Sequence, residues 1–204
     1  MKPNRSLPAN TGFTLLEVLI SMLIIALGLL GLAGMQVRMQ QAEIESYQRS
    51  QALVLLYDMV ERIQLNRATA ACFAITTNTT AGTPYYGTGV NTAAGCTLSS
   101  SANNTMADNA KIEWDNTLDG ASETSGGGAS VGSIVGARGC VSYGTELLNP
   151  AGAAIPGTGI YTVSVAWQGS VDTVIPTANC ANGLYGTETK RRVVSTTFRL
   201  AELN

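Results

Sequence analysis

Apolar residues are spread unevenly along the chain, and their spacing changes character twice. From Phe13 to Met35 the sequence reads FTLLEVLISMLIIALGLLGLAGM, 23 residues with Glu17 as the single charge. At about 1.5 Å per residue this run spans roughly 34 Å, enough to cross a hydrocarbon core of about 30 Å. It then flows into Gln36 to Arg67 without one Pro or Gly. There Leu55, Met59 and Ile63 recur at i, i+4, i+8, and Leu56 with Val60 widens the stripe. Glu43, Arg49, Asp58, Glu61 and Arg62 fall on the other faces, the pattern of an amphipathic helix. Asp58 and Arg62 form a favourable i,i+4 pair. Read as one helix, Phe13 to Arg67 would extend roughly 82 Å.

After Arg67 the pattern changes. Residues Ala68 to Ala107 carry no charge and are dense in Thr, Asn, Ser and Gly, which end a helix. Lys111-Ile-Glu-Trp-Asp115 alternates and predicts a short strand, and Ser122 to Ser133 is a glycine-rich loop. Two clearer strands follow. Ile160 to Trp167 sets Tyr161, Val163, Val165 and Trp167 on one face, and Arg192 to Leu200 does the same with Val194, Thr196, Phe198 and Leu200. Cys140 to Tyr143 is a third candidate. The fold class expected is therefore α+β, a long N-terminal helix packed on a small antiparallel β-sheet domain.

The flank of the apolar run gives it an orientation. Lys2 and Arg5 are the only charges in the first 12 residues, so this end stays in the cytoplasm and the remainder is exported. A cleaved secretory signal would have a shorter apolar stretch and a small-residue cleavage box, whereas Leu32-Ala33-Gly34-Met35 is a poor one. The helix reads as retained in the membrane.

Composition narrows the chemistry. The 204 residues include 12 Lys+Arg, 14 Asp+Glu and no histidine, for a net charge of −2. Ser-His-Asp and Cys-His nucleophiles and His-containing zinc sites are excluded. The charge balance lacks the basic footprint of a nucleic-acid binder. Lys190-Arg191-Arg192 reads as the start of a strand, and Gly126 to Ser133 lacks the lysine of a phosphate loop. Asn78-Thr-Thr80 and Asn103-Asn-Thr105 fit the N-glycosylation pattern. No metal, no cofactor and no carboxylate pair suited to acid/base catalysis is expected.

Cys72, Cys96, Cys140 and Cys180 all lie beyond the apolar run, where an even count in an exported domain means disulfides. Three pairings exist. Cys72–Cys96 with Cys140–Cys180 is favoured because each closes a loop-rich segment locally.

The most specific signal joins leader and apolar run. Gly12-Phe13-Thr14-Leu15-Leu16-Glu17 resembles the G-F-T-L-x-E signal of the type IV prepilins and pseudopilins at every position. The resemblance implies that a prepilin peptidase cleaves after Gly12 and methylates the new N-terminal Phe13, leaving 10 Lys+Arg against 14 acids. Physical chemistry supports a role for Glu17: a carboxylate in a membrane helix calls for a cationic partner, and cleavage makes one in the α-amino group of Phe13 on a neighbouring subunit. Gly28, Gly31 and Gly34 stand where many major pilins carry a kinking proline. They serve either to soften the helix or to let helices pack closely.

Leu29 to Met35, Tyr47 to Ala52, Tyr57 to Ile63, Tyr161 to Gly169 and Arg191 to Ser195 are similar to the PilV family of minor pilins. The chain would then divide into a leader (1–12), a membrane or filament-core helix (13–35), an amphipathic helix (36–67) and a disulfide-stapled head (68–204). The implied role is non-enzymatic: a minor pilin that initiates or modifies pilus assembly and supports adhesion and twitching motility. The implied partners are the prepilin peptidase, other minor pilins, the major pilin, a tip adhesin, the inner-membrane assembly platform and the lipid bilayer. The alternatives are a type II secretion pseudopilin and a signal-anchored periplasmic binding module that never polymerises.

Overall fold

The computed structural model describes residues 12–88, 95–120, 126, 134, 136–155 and 158–200. The leader before Gly12 and all of the glycine-rich loop Ser122 to Ser133 except Gly126 lie outside the described residues. The chain forms two units, residues 1–44 and 45–204.

Helix α1 runs Leu15–Leu65, without interruption at Gly28, Gly31 or Gly34. It is slightly shorter than Phe13 to Arg67 at both ends, for local reasons. Thr14 caps the start, and at the far end the Asn66 side chain donates to the Arg62 carbonyl at 2.9 Å, where the chain tightens into a 3₁₀ helix, Arg67–Phe73. Every described residue up to Ile44 is exposed, including the apolar Val37, Met39 and Ile44. The amphipathic character predicted from Gln36 therefore shows as burial only within the second unit, at Ala52, Leu56, Met59, Val60 and Ile63. These positions follow the 3.6-residue period.

The second unit is an α+β head. Strands β1 (Arg138–Tyr143), β2 (Ile160–Gln168) and β3 (Arg191–Arg199) form one antiparallel sheet in the order β1-β2-β3. Val163 pairs with Val141 on one side and Thr196 on the other, so the predicted inward faces coincide. Tyr161, Val163, Val165 and Trp167 are all buried, in one cluster with Leu56, Met59 and Ile63 of α1. The opposite face is covered too: Cys140 and Ala166 pack with Cys180, Ala181 and Tyr185 of the segment before β3.

One expectation is overturned. Lys111 to Asp115 is not a strand but part of an 18-residue helix, α2, Ser101–Leu118. Ser100 is its N-cap, accepting the Asn103 N–H at 3.3 Å. The buried residues Ala107, Lys111, Trp114, Asp115 and Leu118 make a helical stripe at i, i+4, i+7, i+8 and i+11. Two of the five are charged, and both are satisfied. Lys111 Nζ reaches Asp108 at 2.8 Å, and Asp115 accepts the main-chain N–H groups of Gly87 and Thr88. The Asp58–Arg62 pair closes at 2.9 Å, and the same guanidinium reaches Glu113 of α2 at 2.8 Å. Gly139 is required by close approach: a Cβ there would meet the Trp114 ring at 2.0 Å.

Two carboxylates make head stability depend on pH. Burial disfavours the charge of Asp108, but the Lys111 ammonium and the Cys96 N–H outweigh it and hold the carboxyl below its ordinary value of 3.8. Burial likewise opposes the charge of Glu188, and the Gly183 N–H with the Arg191 guanidinium lowers it from 4.5. Because both values are lower in the folded state, their contribution is complete above the unfolded values and is lost as pH falls through the folded ones. The melting temperature should therefore fall below about pH 4, and Asp108→Asn with Glu188→Gln should flatten that fall. Circular dichroism melts at about pH 3 and pH 6 check this: the deficit of the double variant must be smaller at the acid pH.

Candidate functional site

In the N-terminal unit the chain passes from Gly12 and Phe13 into a capped helix end. Thr14 Oγ1 accepts the N–H of Glu17 at 3.3 Å, and the Thr14 carbonyl accepts from Glu17 at 3.1 Å and Val18 at 3.3 Å. Thr14-x-x-Glu17 has the spacing of a capping box, a signal present in the sequence beside the membrane-carboxylate reading. Glu17 thus sits in the first turn, where the partial positive charge of the helix terminus favours a carboxylate. Ser21 Oγ donates to the Glu17 carbonyl at 2.7 Å. Phe13 is 82% exposed, and no described atom lies within 4 Å of where a Gly12 side chain would stand. The Gly12–Phe13 peptide is accessible to a second protein on its described side.

Beyond the cap the helix offers apolar surface all round. Leu15, Leu16, Leu19, Met22, Ile24, Leu30 and Met35 are all exposed. Its most apolar stretch has a mean hydropathy of 2.6, none of it buried, and the helix is long enough to cross a membrane. Soluble monomers rarely leave so much contiguous apolar area in water, so another apolar phase or neighbouring chains must cover it. Gly28, Gly31 and Gly34 have nothing within 4 Å of a Cβ position, so they too are open to a neighbour.

The remaining sequence-marked residues serve the head. Cys72 bonds Cys96, joining the 3₁₀ helix after α1 to the approach to α2, and Cys140 bonds Cys180, joining β1 to the segment before β3. In the chain-entropy model, loops of 24 and 40 residues make each closure worth about 3–4 kcal/mol. Of the basic triplet, Arg191 is buried, with Nε on Glu188 at 2.6 Å and Nη1 on the carbonyls of Ala178 and Cys180. Arg192 reaches Glu45 at 2.9 Å. Both guanidiniums are consumed by the fold at the start of β3. Asn78 lies in a turn, accepting from Thr80 and Ala81, and Asn103 donates to Ser99.

Comparison with protein families gives two matches. Residues 7–33 match the prokaryotic N-terminal methylation motif, which contains the capped end with Phe13 and Glu17. Residues 34–108 match the family described as type IV pilin Tt1218, which takes in the rest of α1, the first disulfide and the start of α2. No curated protein and no solved structure matches the chain. The type IV pilins are a family of structural subunits. The two adjoining matches cover residues 7–108, half of the chain, and they support a type IV pilin that carries the N-terminal methylation motif.

Proposed function

We propose that the protein is a minor pilin, most similar to the PilV family, which initiates or modifies a type IV pilus and so supports adhesion and twitching motility. Prepilin peptidase cuts between Gly12 and Phe13 and methylates Phe13, and the cut removes Lys2 and Arg5. Before assembly the helix from Phe13 to Met35 anchors the chain in the inner membrane with the head in the periplasm. After assembly the same surface packs among other minor pilins and the major pilin, with the head displayed at the cell surface. A tip adhesin and the inner-membrane assembly platform complete the partners.

The observation that carries this reading is the exposed apolar surface of the N-terminal unit with Glu17 as its lone carboxylate near the capped end. A simple anchor needs the apolar run but not the carboxylate. Glu17 pairs with the methylated amine of a neighbouring Phe13, because a methylated amine stays cationic. The glycines at 28, 31 and 34 ease helix packing or softening during the transfer from lipid to filament. Recovery of the protein in filaments sheared from cells, in trace amounts beside the major pilin, is the expected result. A methylated chain that never appears in sheared filaments would instead favour a secretion pseudopilin.

A further inference from the structure

Of the two edges of the head sheet, one is taken up and one is open. At β1 the Thr76 N–H reaches the Val141 carbonyl at 2.9 Å, and Tyr86 exchanges main-chain bonds with Gly139 at 2.7 and 3.0 Å. At β3 no such partner stands among the described residues. The register says which groups this leaves free. The Gly169 N–H reaches the Lys190 carbonyl at 2.8 Å. Continued along the ladder, that sets the hydrogen-bonded pairs at Trp167–Arg192, Val165–Val194, Val163–Thr196 and Tyr161–Phe198. Val193, Ser195 and Thr197 therefore turn their N–H and C=O groups outward in a row.

Open edges are normally blunted by a bulge, a proline or a charge in mid-strand. Strand β3 has none of these. Its pairing with β2 runs without a bulge, and VVSTTF from Val193 to Phe198 is uncharged, rich in β-branched residues and free of Pro and Gly. A row of alternating donors and acceptors is matched by another extended main chain rather than by a small ligand. A groove of about 370 Å³ beside the start of this edge, lined by Ser46 and Arg49 of α1 and by Val193 and Val194, gives an added strand a place for one side chain.

A second copy of the chain does not fit. Its β1 edge is taken up in the same way, so only β3 is left to meet β3, about a two-fold axis. With the whole strand paired, that axis sets Arg191 opposite Arg199 of the other copy at both ends. It also reverses the α1 segment packed on the same sheet. Two subunits held in one membrane from the same side cannot point in opposite directions, a step that rests on the subunit reading above. Charge describes the strand that does fit. Arg191 and Arg192 are paired with Glu188 and Glu45, whereas Arg199 is exposed and, among the described residues, makes no ion pair.

We propose that the outer edge of β3 takes up an extended strand of a different protein, which pairs with the main chain of Val193, Ser195 and Thr197 and sets an Asp or Glu against Arg199. The test places a photoreactive benzoylphenylalanine at Ser195 in the full-length protein in cells and maps the adduct by mass spectrometry. The expected adduct lies on a different protein, in a segment containing an Asp or Glu. Thr197→Pro removes an outward N–H and leaves the β2 ladder intact, so it should cut the adduct roughly tenfold with the head melting unchanged. Thr196→Pro, which removes the N–H facing Val163, should instead lower the melting temperature. Arg199→Glu should also cut the adduct about tenfold, and Lys in place of the mapped acid should restore it. An adduct on a second copy, one confined to this chain, or one indifferent to Thr197→Pro overturns the proposal. So does a Thr197→Pro head that melts as low as Thr196→Pro. N-terminal sequencing of the same cells separates the two ideas: a processed chain without the adduct sinks the edge alone, whereas an unprocessed chain that still gives it sinks the subunit reading alone.

Discussion

Trp114→Ala is expected to destabilise the head by about 3–5 kcal/mol, the range for emptying a large aromatic site. The residue is fully buried and ties three elements together. Its indole N–H donates to the Leu55 carbonyl of α1 at 2.9 Å, and its ring meets Tyr86 edge-on with centroids 5.1 Å apart. The same ring fills the space over Gly139 of β1 that a methyl group cannot enter. Removing it opens a cavity beneath α2 and takes away the ring contact with Tyr86. Since a whole domain is stable by only about 5–15 kcal/mol, the loss is a large share of the total. Chemical denaturation of the full-length protein in detergent should show a lower midpoint at unchanged slope. Trp114→Phe should recover part of the loss, because it restores an aromatic ring but gives up the Leu55 hydrogen bond and leaves part of the indole volume empty. A deficit below about 1 kcal/mol for the alanine variant would mean that α2 does not anchor the head.

Glu17→Ala should leave the protein processed and in the membrane yet remove it from filaments. The capping bond runs from Thr14 Oγ1 to the main-chain N–H of Glu17, so the helix start survives loss of the side chain. Insertion should be unharmed, because replacing the single charge of the apolar run by alanine removes a cost of insertion and adds none. On the proposed pairing, what disappears is the partner for the methylated amine of a neighbouring subunit. An unpaired charge left in an apolar contact costs about 3–5 kcal/mol. That corresponds to a loss of roughly a hundredfold or more in incorporation. Glu17→Gln, which preserves shape and removes the charge, should fail equally. Normal recovery of either variant in sheared filaments would contradict the pairing.

How far the fold could be read from the chain depended on whether each buried face was made of apolar side chains. The three strands and the stripe Leu56-Met59-Val60-Ile63 were legible because their inward positions are apolar at period 2 or 3.6. The cysteine partners followed from locality, each bond closing its own segment. Helix α2 was not legible as a helix. Lys111 and Asp115 occupy two of its core positions, and their compensation by Asp108 and by the 87–88 main chain is tertiary information. The signal that could have found it is local: Ser100, with a side chain suited to an N-cap, followed by a polar but helix-compatible run. The second face of the sheet was hidden as well. It is covered by Cys180, Ala181 and Tyr185 from an irregular segment that has no period to read.

The N-terminal site divides in the same way. Glu17 stands out as the single charge of the apolar run, Gly12 and Phe13 through the resemblance to the prepilin signal, and the helix cap that sets Glu17 in the first turn is visible as Thr14-x-x-Glu17. The placing of the basic triplet had no signature in the sequence, since Arg192 meets Glu45 from 147 positions away.

The most direct test of the account is mass spectrometry of the mature N-terminus from native membranes. A chain that begins at Phe13 and carries one methyl group is the predicted result; an intact Met1, or an end near Gly34, would contradict it.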